Sequence, residues 1–392
     1  MSDQRLWTKE FIILALSNFF LFMSFYMLNP IIPIYVTDVL QDNAKTVGIV
    51  FACFTTFQII SRLISGYLLD RIEKKIVFLI GRVLFFTAVL FLFSIPGLTL
   101  LLVARCIQGL GVGLATTAGS TIAQDLLPDK RRAEGTGFLG SFTSIALAIG
   151  PFLGISLMQL FNFHIIFLVC IIFSLFSILL GSFTETKKRD ISQKQRKKRN
   201  FIETKVLSYS IISALYTCVS GGIMVFLPLM YHKFGHIEFA SYYYAIYAGV
   251  IFIIRPLTGK LSDKAGPNIS IYSGLLLGII GLCFLSQSSS LILVILTALC
   301  MGCSVGLIQP TIVSMIVKQV PAKNRGSAIA TYMLSNDLGI ISGSYVLGLV
   351  AQLIGYSPMF LSSTLILVCA FLIYTFLSAR ISQIQMDKKP TP

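Results

Sequence analysis

The sequence is poor in charged residues, and acidic residues are the scarcer of the two kinds. Only 12% of the 392 residues are charged, with 16 Asp and Glu against 31 Lys and Arg. Soluble domains carry roughly 25% charged and about 45–50% apolar residues, whereas 55% of this chain is hydrophobic. So little charge cannot cover the surface of a chain of this length, which excludes a water-soluble fold.

Motifs for catalysis and metal binding are also missing. The chain has three histidines and no HExxH pair, no phosphate-binding loop and no nucleophile with a base in reach, so we expect neither an enzyme nor an ATP-driven pump. No cofactor or metal is expected. Cys300 and Cys303 have the CxxC spacing of redox and metal sites, but no second pair or nearby histidine completes one. Small apolar packing is therefore the preferred interpretation.

The apolar residues form twelve blocks of about 20 residues or more, each long enough to cross a hydrocarbon core of about 30 Å. The predicted fold is an all-α integral membrane protein with twelve transmembrane helices arranged as two six-helix bundles. The predicted helices cover 11–36, 46–69, 76–95, 98–125, 134–159, 164–183, 205–231, 241–262, 268–286, 290–318, 325–354 and 358–378.

The net charge of +15 is distributed as a topology signal. Of the 31 Lys and Arg residues, 25 fall at the termini and in alternate loops, which twelve spans place on one face. Short loops rich in Lys and Arg stay in the cytoplasm. We therefore expect both termini in the cytoplasm, in a bacterial plasma membrane, and no nucleic-acid partner.

An internal repeat relates the two halves at a constant offset of 193 residues. Glycines, prolines and charged residues recur at this offset. The predicted division is a bundle at 1–183, a basic cytoplasmic linker at 184–204, a second bundle at 205–380 and a cytoplasmic tail at 381–392. The linker either binds anionic lipid or simply fixes orientation, and the second interpretation is preferred. Matching pairs include Asp70 with Asp263, Gly81 with Gly274, Gly113 with Gly306, Pro128 with Pro321 and Gly150 with Gly343.

The loop after helix 2 reads Gly66-Tyr67-Leu68-Leu69-Asp70-Arg71, and its copy after helix 8 reads Gly259-Lys260-Leu261-Ser262-Asp263-Lys264. This duplicated loop resembles the signature loop of the major facilitator superfamily. In that family its charges form a latch at the cytoplasmic mouth, which stabilises the outward-facing state. The alternative is that these charges only cap helices and set topology. Glu73 stands where the family usually has a turn glycine. The resemblance assigns a gating role to Gly66, Asp70, Arg71, Lys74 and Asp125, and in the second copy to Gly259, Asp263 and Lys264.

Helices 4 and 5 carry two further motifs of the same family. Arg105 and Gln108 lie in a segment similar to its arginine-containing helix 4 motif, which is implicated in proton-coupled transport. Counted at 1.5 Å per residue from the outer end of the helix, Arg105 lies about 10 Å deep in the membrane. An arginine at that depth costs at least about 2.5 kcal/mol without partners, and a structural, snorkelling arginine is the alternative. Helix 5 resembles the proton-antiporter branch, with departures at Ala146 and Ile155. Its matching residues are Gly137, Gly150, Pro151 and Gly154.

Asp337 is the acidic residue placed deepest in a predicted span, beside Asn336 and about 18 Å into helix 11 at 1.5 Å per residue. An ionisable residue inside the membrane is a functional candidate, so both residues are predicted to serve proton coupling or substrate binding. A structural pairing of Asp337 is the alternative. Helix 1, at 11–36, contains no acid, unlike many drug-exporter relatives.

The resemblance implies a secondary active transporter that exports a small amphiphilic compound or drug in exchange for protons by alternating access. A transporter of one specific metabolite, importing or exporting, is the alternative, and a channel is disfavoured. The expected partners are a small-molecule substrate, protons and membrane lipid, with the chain acting as a monomer.

Overall fold

The computed structural model describes residues 7–69, 71–94, 97–128, 132–184, 203–321 and 324–387. These residues form twelve long α-helices and no strand. Asp70 and most of the predicted linker lie outside the described residues. The helices are α1 (Lys9–Ile34), α2 (Ala44–Leu69), α3 (Lys74–Phe93), α4 (Leu98–Leu126), α5 (Arg132–Leu160), α6 (Phe163–Ser182), α7 (Leu207–Lys233), α8 (Glu238–Ala265), α9 (Pro267–Ser286), α10 (Leu291–Gln319), α11 (Arg325–Ile354) and α12 (Tyr356–Asp387).

Eleven helices of the described part are long and apolar enough to cross a membrane. A helix satisfies its own backbone hydrogen bonds, which is why apolar segments of this length adopt it in lipid. The predicted helix ends agree with the structure within three residues, except at α12, which continues to Asp387. Residues 381–387 of the predicted tail are therefore helical, because the first helix-breaking residue after the span is Pro390.

Contacts between Cα atoms divide the chain into two compact units. The first unit contains the described residues before 198 together with Met224–Ala248, and the second contains the remainder. This grouping differs from the predicted bundles, which assign α7 and α8 entirely to the second half. The predicted boundaries at 183 and 205 thus stay a prediction.

Serine hydroxyls tie α1 to α6 in the first unit. Ser17 Oγ donates to the Ser177 carbonyl at 2.6 Å, and Ser177 Oγ donates back to the Ser17 carbonyl at 3.0 Å. Two turns along, Ser24 Oγ donates to the Cys170 carbonyl at 3.0 Å. Polar groups within a membrane need partners inside the protein, and here each hydroxyl finds one on the neighbouring helix.

Glycines set the close crossing of α3 and α4. A Cβ atom at Gly111 would lie 2.6 Å from the Phe85 backbone nitrogen and 2.7 Å from the Gly81 carbonyl oxygen. Real Cβ atoms do not approach a backbone so closely, so only glycine permits this contact.

The same crossing recurs in the second unit at the offset of 193 residues. Gly274 is the equivalent of Gly81, and its Cβ would lie 3.3 Å from the carbonyl oxygen of Ser304, the equivalent of Gly111. The Ser304 hydroxyl donates to the Gly274 carbonyl at 2.6 Å. The repeat in the sequence is therefore a repeat of helix packing.

We predict that Gly111→Ala lowers the free energy of unfolding by about 1–3 kcal/mol, because the added methyl group forces the two backbones apart. Thermal unfolding of the purified protein in detergent measures the effect. Gly249→Ala is the matched control, since nothing lies within 4 Å of a Cβ at that helical position. Equal melting temperatures for the two variants would show that the crossing tolerates a side chain.

Candidate functional site

A fully buried arginine lies in the first half of α4. Arg105 has 0% of its surface exposed, and its Nη1 donates to Gln108 Oε1 at 2.6 Å. The two residues are three apart in the helix, which places them on one face. The structure therefore brings together the two residues that the helix 4 motif singled out.

Aromatic rings from α2 enclose the guanidinium group. Its central carbon lies 4.6 Å from the ring centroids of both Phe51 and Phe54. The Phe25 ring of α1 stacks on Phe54 with centroids 5.2 Å apart. A cation over aromatic faces gains electrostatic stabilisation, more so where water is excluded.

Part of this polar cluster has no hydrogen-bond partner. Among the described residues, Arg105 Nε, Arg105 Nη2 and Gln108 Nε2 are buried and contact no acceptor. None of the buried side chains described in the first unit is acidic. The cluster thus holds a positive charge and unused donors.

A second buried arginine, Arg82 of α3, makes hydrogen bonds to two other helices through both of its terminal nitrogens. It donates to the Ser17 carbonyl at 2.8 Å, to Asn18 Oδ1 at 2.7 Å and to the Ser177 hydroxyl. Its guanidinium carbon lies 4.1 Å from the centroid of the Phe78 ring. The predicted span 76–95 contains Arg82, but no motif singled it out. A charged residue inside an apolar span, with the apolar Leu275 as its repeat equivalent, was the feature that could have identified it.

Asp337 lies in the middle of α11 and is 5% exposed. The neighbouring Asn336 joins α11 to α7, because its Oδ1 accepts from Ser213 Oγ at 2.6 Å and its carbonyl accepts from Thr217 Oγ1 at 3.2 Å. The repeat equivalent of Asp337 is Ser144. The buried Arg82 and Arg105 of the first half and the buried Asp337 of the second therefore have no ionisable counterpart in the other half.

The first copy of the predicted latch is partly visible. Lys74 forms an ion pair with Asp125, which joins the start of α3 to the end of α4. Arg71 lies over the Tyr67 ring at 4.0 Å. Gly66 lies in the last turn of α2, while the predicted partner Asp70 is outside the described residues. The second copy, Gly259, Asp263 and Lys264, lies in the last two turns of α8.

The glycines of the helix 5 motif pack α5 against α1. A Cβ atom at Gly150 would lie 2.9 Å from Tyr26 Cβ, and one at Gly154 would lie 2.6 Å from the Met27 carbonyl oxygen. Pro151 lies between them inside a continuous helix, and Gly137 lies near the start of that helix. In the second unit, Gly343 of α11 is the repeat equivalent of Gly150 and packs on α7 in the same way.

An ion pair between distant segments was not predicted. Asp38 lies in a π-helical turn, Tyr35–Val39, that continues α1, and its Oδ2 is 2.6 Å from Nε2 of His232 in the last turn of α7. Both residues belong to the first unit. The predicted helices end at 36 and 231, so the sequence places Asp38 and His232 in loops.

The chain belongs to the Major Facilitator Superfamily, whose family model matches residues 14–341 and 209–389. It is therefore a multi-pass membrane transporter. It is 24% identical to an uncharacterized MFS-type transporter of Methanocaldococcus jannaschii, over 90% of this chain and 94% of that protein. It is 25% identical to the staphylopine export protein of Staphylococcus aureus, over 93% and 92% of the two chains.

Two further similarities are weaker, the first in the length aligned and the second in sequence identity. The quinolone resistance protein NorA of Staphylococcus aureus is 25% identical over 147 residues, which is 37% of each chain. The crystal structure of the nucleoside transporter NupG superposes with a TM-score of 0.79 at 14% identity, covering 94% of this chain and 99% of that one. The latter shows that the fold is shared.

We predict that Arg82→Gln lowers the melting temperature more than Arg105→Gln does. The first change removes three hydrogen bonds that join α3 to α1 and α6, whereas the second removes one bond within α4, and hydrogen bonds to charged groups contribute about 1.5–3 kcal/mol each. Thermal unfolding of both variants in the same detergent makes the comparison. A larger loss for Arg105→Gln would mean that Arg105 is the structural arginine.

Proposed function

We propose that the protein is a secondary active transporter that exports a small amphiphilic compound or drug in exchange for protons by alternating access. It would lie in a bacterial plasma membrane with both termini in the cytoplasm. The observation that carries this proposal is the burial of Asp337, which is the one buried acidic side chain in the described part of the chain.

Asp337 suits a proton carrier because a carboxyl group gains or loses its charge with one proton. Ionisable residues inside a membrane are rare and mark proton relays and substrate pathways. Its position beside the α7–α11 hydrogen bonds means that a change of charge acts on a tightly packed pair of helices. Rearrangement of that pair would link proton binding to the opening of the substrate path.

Export of one specific metabolite is the second candidate. The alignment with the staphylopine export protein extends over nine-tenths of both chains, whereas the alignment with NorA covers about a third of each. A dedicated exporter would use the same coupling but would bind its substrate through more polar contacts.

We predict that Asp337→Asn abolishes proton-driven transport but keeps substrate exchange, because the amide cannot release a proton. Proteoliposomes with an imposed pH gradient and a fluorescent quinolone, norfloxacin, allow both to be measured. Asp42→Asn, the same change in the loop between α1 and α2, serves as the control and should transport normally. Gradient-driven uptake by Asp337→Asn at the wild-type rate would remove Asp337 from the coupling mechanism.

Alternating access predicts that the π-helical turn after α1 and the last turn of α7 must separate during transport. Asp38→Cys combined with His232→Cys, joined by a short reducible bis-methanethiosulfonate, should therefore lose transport, and reduction should restore it. The single variants and the wild type treated with the same reagent are the controls, since the chain has eight cysteines of its own. Full transport by the cross-linked protein would rule out this motion.

A further inference from the structure

We propose that the Arg105–Gln108 cluster binds an anionic group of the substrate, so that the transported amphiphile carries a carboxylate or a similar oxyanion. This inference rests on the proposed function and names the class of substrate. It differs from a role in proton transfer, because the ligand and not a protein carboxyl neutralises the arginine.

The unused donors of Arg105 form the edge of the guanidinium that matches a carboxylate. Nη1 is occupied by Gln108 Oε1, while Nε and Nη2 have no partner among the described residues. These two groups point the same way and donate in parallel, which is the bidentate geometry of arginine–carboxylate pairs. Gln108 Nε2, also without a described partner, supplies another donor beside them.

The comparison with Arg82 shows that this arrangement is not simply what the membrane interior imposes. Both arginines are essentially inaccessible, yet only the Nε of Arg82 lacks a partner in the described residues. Buried donors without acceptors are rare because each costs about 1–3 kcal/mol. Arg105 and Gln108 together hold three such donor atoms within one turn of α4, whereas Arg82 holds one. An incoming anion would supply the acceptors that these donors lack.

The surroundings also favour an anion with an apolar body. The guanidinium lies over the rings of Phe51 and Phe54, and Phe25 stacks on Phe54, so the groups that surround the donors are aromatic and apolar. A positively charged headgroup would meet the Arg105 charge at close range with no buried acid of the first unit among the described residues to offset it. An aromatic carboxylate satisfies both the donors and the rings.

Binding to the purified full chain in detergent tests this inference. The probes are dansylglycine and 1-naphthoate, each compared with its methyl ester, which keeps the ring and removes the charge. For the wild type we expect each acid to bind about tenfold more tightly than its ester, equivalent to about 1.4 kcal/mol. Equal affinity of acid and ester for both pairs would overturn the inference.

Gln108→Glu is the informative variant, because it places a protein carboxylate beside Arg105 with almost no change of shape. We expect it to lose the acid-over-ester preference while its melting temperature stays the same or rises. Gln309→Glu is the matched control and should keep the acid-over-ester preference. Gln309 of α10 accepts a hydrogen bond from Arg255 of α8, so this change also places a carboxylate beside an arginine. Loss of the preference in both variants, or in neither, would contradict the assignment to Arg105.

The result separates from the proposed function because binding needs no gradient. A charge preference that depends on Gln108, in a protein without proton-driven transport, would support the anion site and refute proton coupling. Proton-driven transport of the esters and acids alike would support coupling and refute the anion site.

Discussion

The constraint on which this structure depends is that lipid offers no hydrogen bonds, so polar groups must find partners inside the protein. The long helices satisfy the backbone. The close glycine crossings let α3 meet α4 and α9 meet α10, and serine hydroxyls find carbonyls across these and other interfaces. Arg82 follows the same rule with three acceptors from α1 and α6. Arg105 departs from this rule further than Arg82, because two of its guanidinium nitrogens and the neighbouring Gln108 Nε2 have no partner among the described residues.

Much of the architecture follows from the sequence because it rests on local composition. Apolar blocks separated by short polar breaks predict the helices, and the offset of 193 residues predicts which contacts repeat. Gly81 and Gly274 demonstrate this, since they occupy the same place in the two units. The end of α12 was predicted too early, because hydropathy measures the apolar span and not the helix, which continues through polar residues to Asp387.

The remainder depends on pairing between helices distant in the chain, which one sequence does not specify. The acceptors of Arg82 are 64 to 95 residues away, and Asp38 and His232 are 194 residues apart. Arg105 and Gln108 were predicted as candidates because both lie in the segment that resembles a family motif of helix 4. The use of their donors became visible only with the neighbouring helices in place.

The two repeats share their packing but not their buried ionisable residues. Arg105 is matched by Ala298 and Asp337 by Ser144, so the duplication supplied a common scaffold on which each half acquired its own ionisable group. The central claim is that the unpaired guanidinium edge of Arg105 receives the substrate. A cryo-electron microscopy structure of the protein with bound dansylglycine tests it most directly. The account predicts the carboxylate oxygens about 3 Å from Arg105 Nε and Nη2. A carboxylate bound elsewhere, with these two groups still unpaired, would contradict it.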